Sequence, residues 1–109
     1  MHPECPERLQ IVLDGLSDKP FRHLSRHEAP EIDLKLVEMV HQPYYVENIV
    51  ESIPEQGRVH LDPDTVMSPR SLEATRRSSG AAVEAVDRVM AGDATNAFCA
   101  VRPPGHHAV

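Results

Sequence analysis

The sequence has little cysteine, no excess of positive charge and no long apolar run, and each absence argues against a class of protein. The two cysteines, Cys5 and Cys99, lie far apart and form none of the paired spacings of structural zinc sites. Because no segment resembles a secretion signal, we expect a cytoplasmic protein. The sequence leaves open whether the two cysteines form a single disulfide. The net charge of −6 argues against a general nucleic-acid binder. No apolar run is long enough to cross a membrane.

The negative charge is concentrated in one stretch. Residues 28–55 hold seven acidic side chains and one basic side chain, Lys35, and so carry a charge of −6, while the rest of the chain is neutral. The ordinary interpretation is a solvated acidic surface. The alternative is a surface that attracts cationic substrates, such as polyamines or basic protein tails.

The most informative stretch is residues 96–109, with the sequence NAFCAVRPPGHHAV. Its apolar run, residues 97–101, is bounded by turn residues and predicts a short buried strand. Two prolines end this strand because they have no N–H to donate to a ladder. The adjacent histidines, His106 and His107, then lie at the carboxyl end of the strand, where open α/β sheets bind ligands. From these residues alone, a coincidence in a loop or an incidental metal contact explains the pair better than a catalytic role does.

The periodicity of apolar residues predicts an α/β domain that is rich in helix, with one or two short strands. At 109 residues, the chain is at most one domain. The predicted helices cover residues 4–17, 31–41, 43–53 and 68–91. A second, weaker strand is predicted over residues 21–29, and a loop with two aspartate turns over residues 58–68.

Four stretches, in order and nearly end to end, resemble the zinc-dependent deacetylases. This family includes histone deacetylases, acetylpolyamine amidohydrolases and acetoin-utilisation proteins. The stretches are HPECPERL at residues 2–9, Val40-His41 followed by Tyr45-Val46, LDPDT at residues 61–65, and RPPGHHA at residues 102–108. The first and last are most similar to the bacterial and class II branch. The resemblance implies the arginase/deacetylase parallel-sheet fold, of which residues 1–109 are expected to be the N-terminal part, truncated before the metal-ligand motif.

The resemblance also implies roles for the two histidines. His107 matches the general base that acts on zinc-bound water, and His106 matches the partner that stays largely protonated and stabilises developing negative charge. Imidazole suits such proton transfer because its ordinary pKa lies near neutral pH. The implied reaction removes acetyl groups from acetyl-lysine or acetylated amines. The family's zinc ligands follow the histidine pair, so Zn²⁺ is expected in the full-length enzyme and no ligand is assigned to this chain.

Other matched residues are expected at the mouth of the pocket. Asp64 matches a rim aspartate that accepts hydrogen bonds from substrate amides in some members. The alternatives are that Asp64 is an ordinary turn aspartate or that its near neighbour Asp62 takes the role. The opening signature, through Glu4 and Arg8, is expected to shape the loop near the pocket. Arg102 is expected to pair with a carboxylate that the sequence does not identify.

Two functions stay open on the sequence. The first is part of a zinc-dependent amidohydrolase whose substrate is an acetylated amine. The second is a non-catalytic α/β fragment that serves only as a structural or association module. An apolar strand with an unpaired edge predicts self-association in either case.

Overall fold

The computed structural model describes residues 2–106, a helix-rich chain with one small sheet. In chain order the elements are α1 (Pro6–Leu16), a 3-10 helix (Lys19–Phe21), α2 (Leu34–Val37), α3 (Pro43–Glu51), β1 (Val59–Asp62), β2 (Thr65–Met67) and α4 (Ser71–Ala91). The predicted richness in helix with short strands is confirmed. The described strands pair antiparallel, so the parallel sheet that the resemblance implies stays a prediction for a complete domain.

Two of the predicted helices begin as their sequences indicate, whereas α4 begins at Ser71, three residues after the predicted start at Ser68. α1 and α3 each have a proline in the first turn, Pro6 and Pro43, where a missing N–H leaves no hydrogen bond unmade. α3 buries Val46, which is 8% exposed. The ring of His41 stacks on that of Tyr45, with 5.3 Å between centroids.

The helix predicted over residues 31–41 is wrong for most of its length. α2 is one turn long, and the carboxylate of Asp33 caps it by accepting from the Lys35 N–H at 3.0 Å. Upstream of it, the N–H of Ile32 donates to the carbonyl of Arg76 on α4 at 3.0 Å. The Arg76 guanidinium donates twice to the Ile32 carbonyl, at 2.9 and 3.0 Å. A helix that began at residue 31 would use the Ile32 carbonyl as an acceptor, and this carbonyl binds Arg76 instead.

This segment reaches α4 at Gly80. A Cβ added at Gly80 would overlap the carbonyl oxygen of Pro30 and lie 2.9 Å from the nitrogen of Ile32. The Arg77 guanidinium donates to the Ala29 carbonyl at 2.7 Å on the same side of the helix. Only a residue without a side chain lets the two backbones approach this closely.

Two predicted strands are absent from the described part of the chain. Residues 21–29 leave the 3-10 helix and continue without regular structure. Residues 97–101 find no ladder partner between residues 2 and 106, and Phe98 is 74% exposed. A strand needs a neighbour for its N–H and C=O groups, and none is supplied here.

A hairpin forms instead where a loop is predicted. β1 and β2 pair with Val59 opposite Met67 and with Asp62 opposite Thr65. The turn between them is built on Asp62, one of the two aspartates at which the sequence predicts a turn. The hairpin therefore places Asp64 at its tip.

The described chain leaves much apolar surface in solvent. Its accessible surface is 8492 Å², whereas a folded monomer of this mass exposes about 6,000 Å². Its radius of gyration is 15.5 Å, against about 13 Å for a compact domain of this length. Along α4, large apolar side chains lie in solvent, such as Val86 at 60% and Met90 at 81% exposed. Within residues 2–106, none of the helices is long and apolar enough to cross a membrane.

Candidate functional site

Three successive residues at the start of the histidine motif, residues 101–103, are held by hydrogen bonds from two other parts of the chain. The hydrogen bonds are Arg8 Nη2 to Val101 O at 3.1 Å, Arg102 Nε to Glu4 Oε1 at 3.1 Å, and Ser78 Oγ to Pro103 O at 2.6 Å. Two of these contacts come from the opening signature and one from α4. The two stretches that carry the strongest sequence signal are therefore in direct contact.

Glu4 is central to this contact because both of its carboxylate oxygens are used. Its Oε2 accepts from Arg8 Nε at 2.8 Å, while its Oε1 accepts from Arg102. The Glu4 side chain is 21% exposed. The hydrogen bond from Arg102, supported by Arg8, holds the pKa of the Glu4 carboxyl below its ordinary range. Glu4 is thus the carboxylate that the sequence leaves unidentified, and we call Glu4, Arg8 and Arg102 the Glu4 network.

The chain runs from this network to the histidines through two prolines and a glycine. Gly105 has a φ of +82°, in the left-handed region that favours glycine. An added Cβ would meet nothing within 4 Å, so the backbone conformation rather than space favours glycine here. His106 follows directly and is exposed. His107 lies outside the described residues, and its role stays a prediction.

Asp64 and Asp62, the two candidates for the rim aspartate, have different surroundings. The Asp62 carboxylate accepts from the Asp64 N–H at 2.8 Å and from the Thr65 hydroxyl at 2.9 Å, so it holds the hairpin turn. The Asp64 side chain is 65% exposed, and its Oδ1 lies 3.7 Å from His2 Nε2. His2 Nδ1 in turn accepts from the Glu4 N–H at 3.1 Å. Asp64 is therefore brought beside the opening signature, and its contact with substrate stays a prediction.

The described residues do not fit a zinc site. Between residues 2 and 106, no three His, Cys, Asp or Glu side chains come together in a group that could hold a metal ion. Cys5 and Cys99 are free thiols, so the disulfide left open by the sequence is not formed. No ligand for the zinc that the resemblance implies is therefore assigned among the described residues.

Ser78 is the one member of the site that sequence reasoning misses. It lies on α4 in a run of small residues, SSGAA at positions 78–82. Such a run indicates that another part of the chain approaches closely, but it does not say which part. The hydroxyl of Ser78 binds the carbonyl of Pro103, which is 25 residues away in sequence.

Comparison with known proteins gives matches that cover nearly all of the chain. The model of the histone deacetylase domain matches residues 2–109. Type-2 histone deacetylase 2 of Dictyostelium discoideum is 31% identical over 135 aligned positions, which cover 98% of this chain and 8% of that protein. The histone deacetylase-like amidohydrolase of Pseudomonas aeruginosa is 38% identical over 105 positions, which cover 96% of this chain and 27% of that protein. Polyamine deacetylase HDAC10 of Mus musculus is 35% identical over 119 positions, which cover 95% of this chain and 16% of that protein. The chain thus spans between 8% and 27% of the length of these relatives.

Proposed function

The chain belongs to the histone deacetylase domain family, and on this premise we propose that it forms the N-terminal part of a zinc-dependent deacetylase. The reaction removes acetyl groups from acetyl-lysine or other acetylated amines, with His107 as the general base and His106 as its electrostatic partner. One observation supports this proposal above the others. The opening signature and the histidine motif, 98 residues apart at Glu4 and Arg102, are joined by hydrogen bonds.

Amide hydrolysis needs an activated water, stabilisation of negative charge on the carbonyl oxygen, and a proton for the leaving amine. In the proposed reaction, His107 takes a proton from the attacking water and returns it to the amine. His106 stabilises the negative charge as it develops. Zinc, when held by residues outside the described part of the chain, supplies Lewis-acid activation.

The names of the relatives support an acetylated amine as the substrate class. One relative is named a histone deacetylase-like amidohydrolase and another a polyamine deacetylase. The exposed carboxylate of Asp64 is proposed to accept hydrogen bonds from substrate amides at the rim of the pocket. The acidic stretch over residues 28–55 is compatible with a cationic substrate, because opposite charges attract over several ångströms.

The test compares the 109-residue chain with a complete deacetylase domain that carries these residues, called the complete domain below. Both are supplied with zinc, an acetyl-lysine peptide and an acetylpolyamine, and acetate release is measured. The complete domain is expected to release acetate from at least one of the two substrates, while the chain alone releases none. Turnover by the pure chain would refute the proposal that other residues hold the zinc.

The uncovered apolar surface favours a second candidate function, association without catalysis. The exposed side chains of Val86, Met90 and Phe98 are available for contact with a second copy of the chain. At high concentration the isolated chain is expected to elute as a species larger than a monomer, measured by size-exclusion chromatography with light scattering. A monomer that melts cooperatively would show that the chain closes its own core.

A further inference from the structure

The Glu4 network differs from an ordinary surface ion pair in what it connects. Glu4 binds Arg8 one turn away and Arg102 at a separation of 98 residues, with one carboxylate oxygen for each guanidinium. Arg8 also donates to the carbonyl of Val101, directly before Arg102. Exposed ion pairs contribute little to stability, so fixing the distance between two distant segments is the effect that distinguishes this network.

The path from Arg102 to His106 is short and stiff. Between them lie two prolines, whose rings fix φ near −65°. The next residue is Gly105, which has a φ of +82°, in the left-handed region. Because only three residues separate Arg102 from His106 and two of them are prolines with restricted φ, a displacement of Arg102 is transmitted to His106. A displacement of about 1 Å in an active site can cost about 10²-fold in rate.

We propose that Glu4 is a positioning residue for the histidine pair, acting through Arg102. This inference rests on the proposed deacetylase function. Glu4 does not touch the reacting atoms. Its carboxylate keeps two guanidinium groups side by side and so holds the first residue of the histidine motif against the start of α1. Without that negative charge, the like charges of Arg8 and Arg102 repel each other, and the motif loses the one side-chain contact that holds Arg102 among the three hydrogen bonds described above.

The chain offers a matched control in the pair of Glu84 and Arg88. Arg88 Nε donates to Glu84 Oε1 at 2.9 Å, and both side chains are 36% exposed. The chemistry is the same as in the Glu4 network, but both partners lie one turn apart on α4. Replacing Glu84 by glutamine therefore removes a similar ion pair without separating distant segments.

The experiment measures kcat, KM and thermal stability of the complete domain with Glu4→Gln or Glu84→Gln. Glutamine keeps the size of the side chain but has only one acceptor oxygen and turns an NH₂ group toward an arginine. For Glu4→Gln we expect kcat to fall by about 10- to 100-fold, as for residues that orient catalytic groups, with KM unchanged. Glu84→Gln is expected to keep the kcat of the unmodified domain. Both variants are expected to melt at similar temperatures.

A double variant separates positioning from a general loss of structure. If Glu4 acts through Arg102, the double variant Glu4→Gln, Arg102→Gln is expected to have about the same kcat as the less active of the two single variants. The reason is that both changes break one and the same contact. Glu4→Asp keeps the charge but is one methylene shorter, and an intermediate kcat is expected. This variant serves as the test if Glu4→Gln does not fold.

Three results would overturn the proposal. The first is a kcat for Glu4→Gln equal to that of Glu84→Gln. The second is a double variant whose kcat falls by the product of the factors found for the two single variants. The third is a loss of activity in both Glu4→Gln and Glu4→Asp that merely follows a loss of folded protein. The failure of the deacetylase function itself is recognised separately, since the unmodified complete domain then releases no acetate.

Discussion

Replacement of His107 by alanine in the complete domain is expected to lower kcat by about 10²- to 10⁴-fold, the usual contribution of a general base. The proton transfer assigned to His107 exists only along the reaction path, so its loss raises the barrier without weakening substrate binding. KM is therefore expected to stay nearly constant. Steady-state kinetics on an acetyl-lysine peptide, or on an acetylpolyamine if that is the better substrate, measures both constants.

His27→Ala is the control for this variant. His27 is exposed, and the ring contact it makes is a hydrogen bond of 3.0 Å with the neighbouring hydroxyl of Ser25. Its replacement is expected to leave kcat unchanged. If His107→Ala stays within a few-fold of the unmodified domain, the assignment of the general base is wrong.

Gly80→Ala is expected to reduce the free energy of unfolding of the complete domain by about 1–3 kcal/mol, as overpacking does. The new methyl group would overlap the carbonyl of Pro30, which is backbone and cannot rotate away. The segment around Ile32 must then move off α4 and lose its hydrogen bonds to Arg76. Chemical denaturation followed by circular dichroism measures the loss.

Gly15→Ala provides the comparison within α1. A Cβ at Gly15 meets nothing within 4 Å. Alanine is the better helix former by about 1 kcal/mol, so this variant is expected to be as stable as the parent or slightly more so. Equal stability of the two variants would show that the segment at Pro30 does not pack on Gly80 in the complete domain.

The structural features that follow from nearby residues could be predicted from the sequence. Pro6 and Pro43 mark the first turns of α1 and α3, and the turn built on Asp62 is present as predicted. In the site, the sequence predicts that Arg102 pairs with a carboxylate, and the structure shows that this carboxylate is Glu4. The family itself is recognisable because its motifs are local sequences.

Features that depend on distant partners could not be predicted. The late start of α2 accompanies hydrogen bonds between Ile32 and Arg76, which are 44 residues apart. The identity of Glu4 as the partner of Arg102 depends on a separation of 98 residues, and the chain has seventeen acidic side chains to choose from. The strand over residues 97–101 has the right composition, but a ladder also requires a neighbour, and none lies within the described residues.

Acetate release by the complete domain, measured while zinc is removed with a chelator and then restored, tests the proposed chemistry most directly. We expect release from an acetyl-lysine peptide or an acetylpolyamine to fall to the level of the isolated chain when zinc is removed. Restored zinc is expected to return the activity. Release that continues unchanged without metal, or no release from either substrate when zinc is present, would contradict the proposed function.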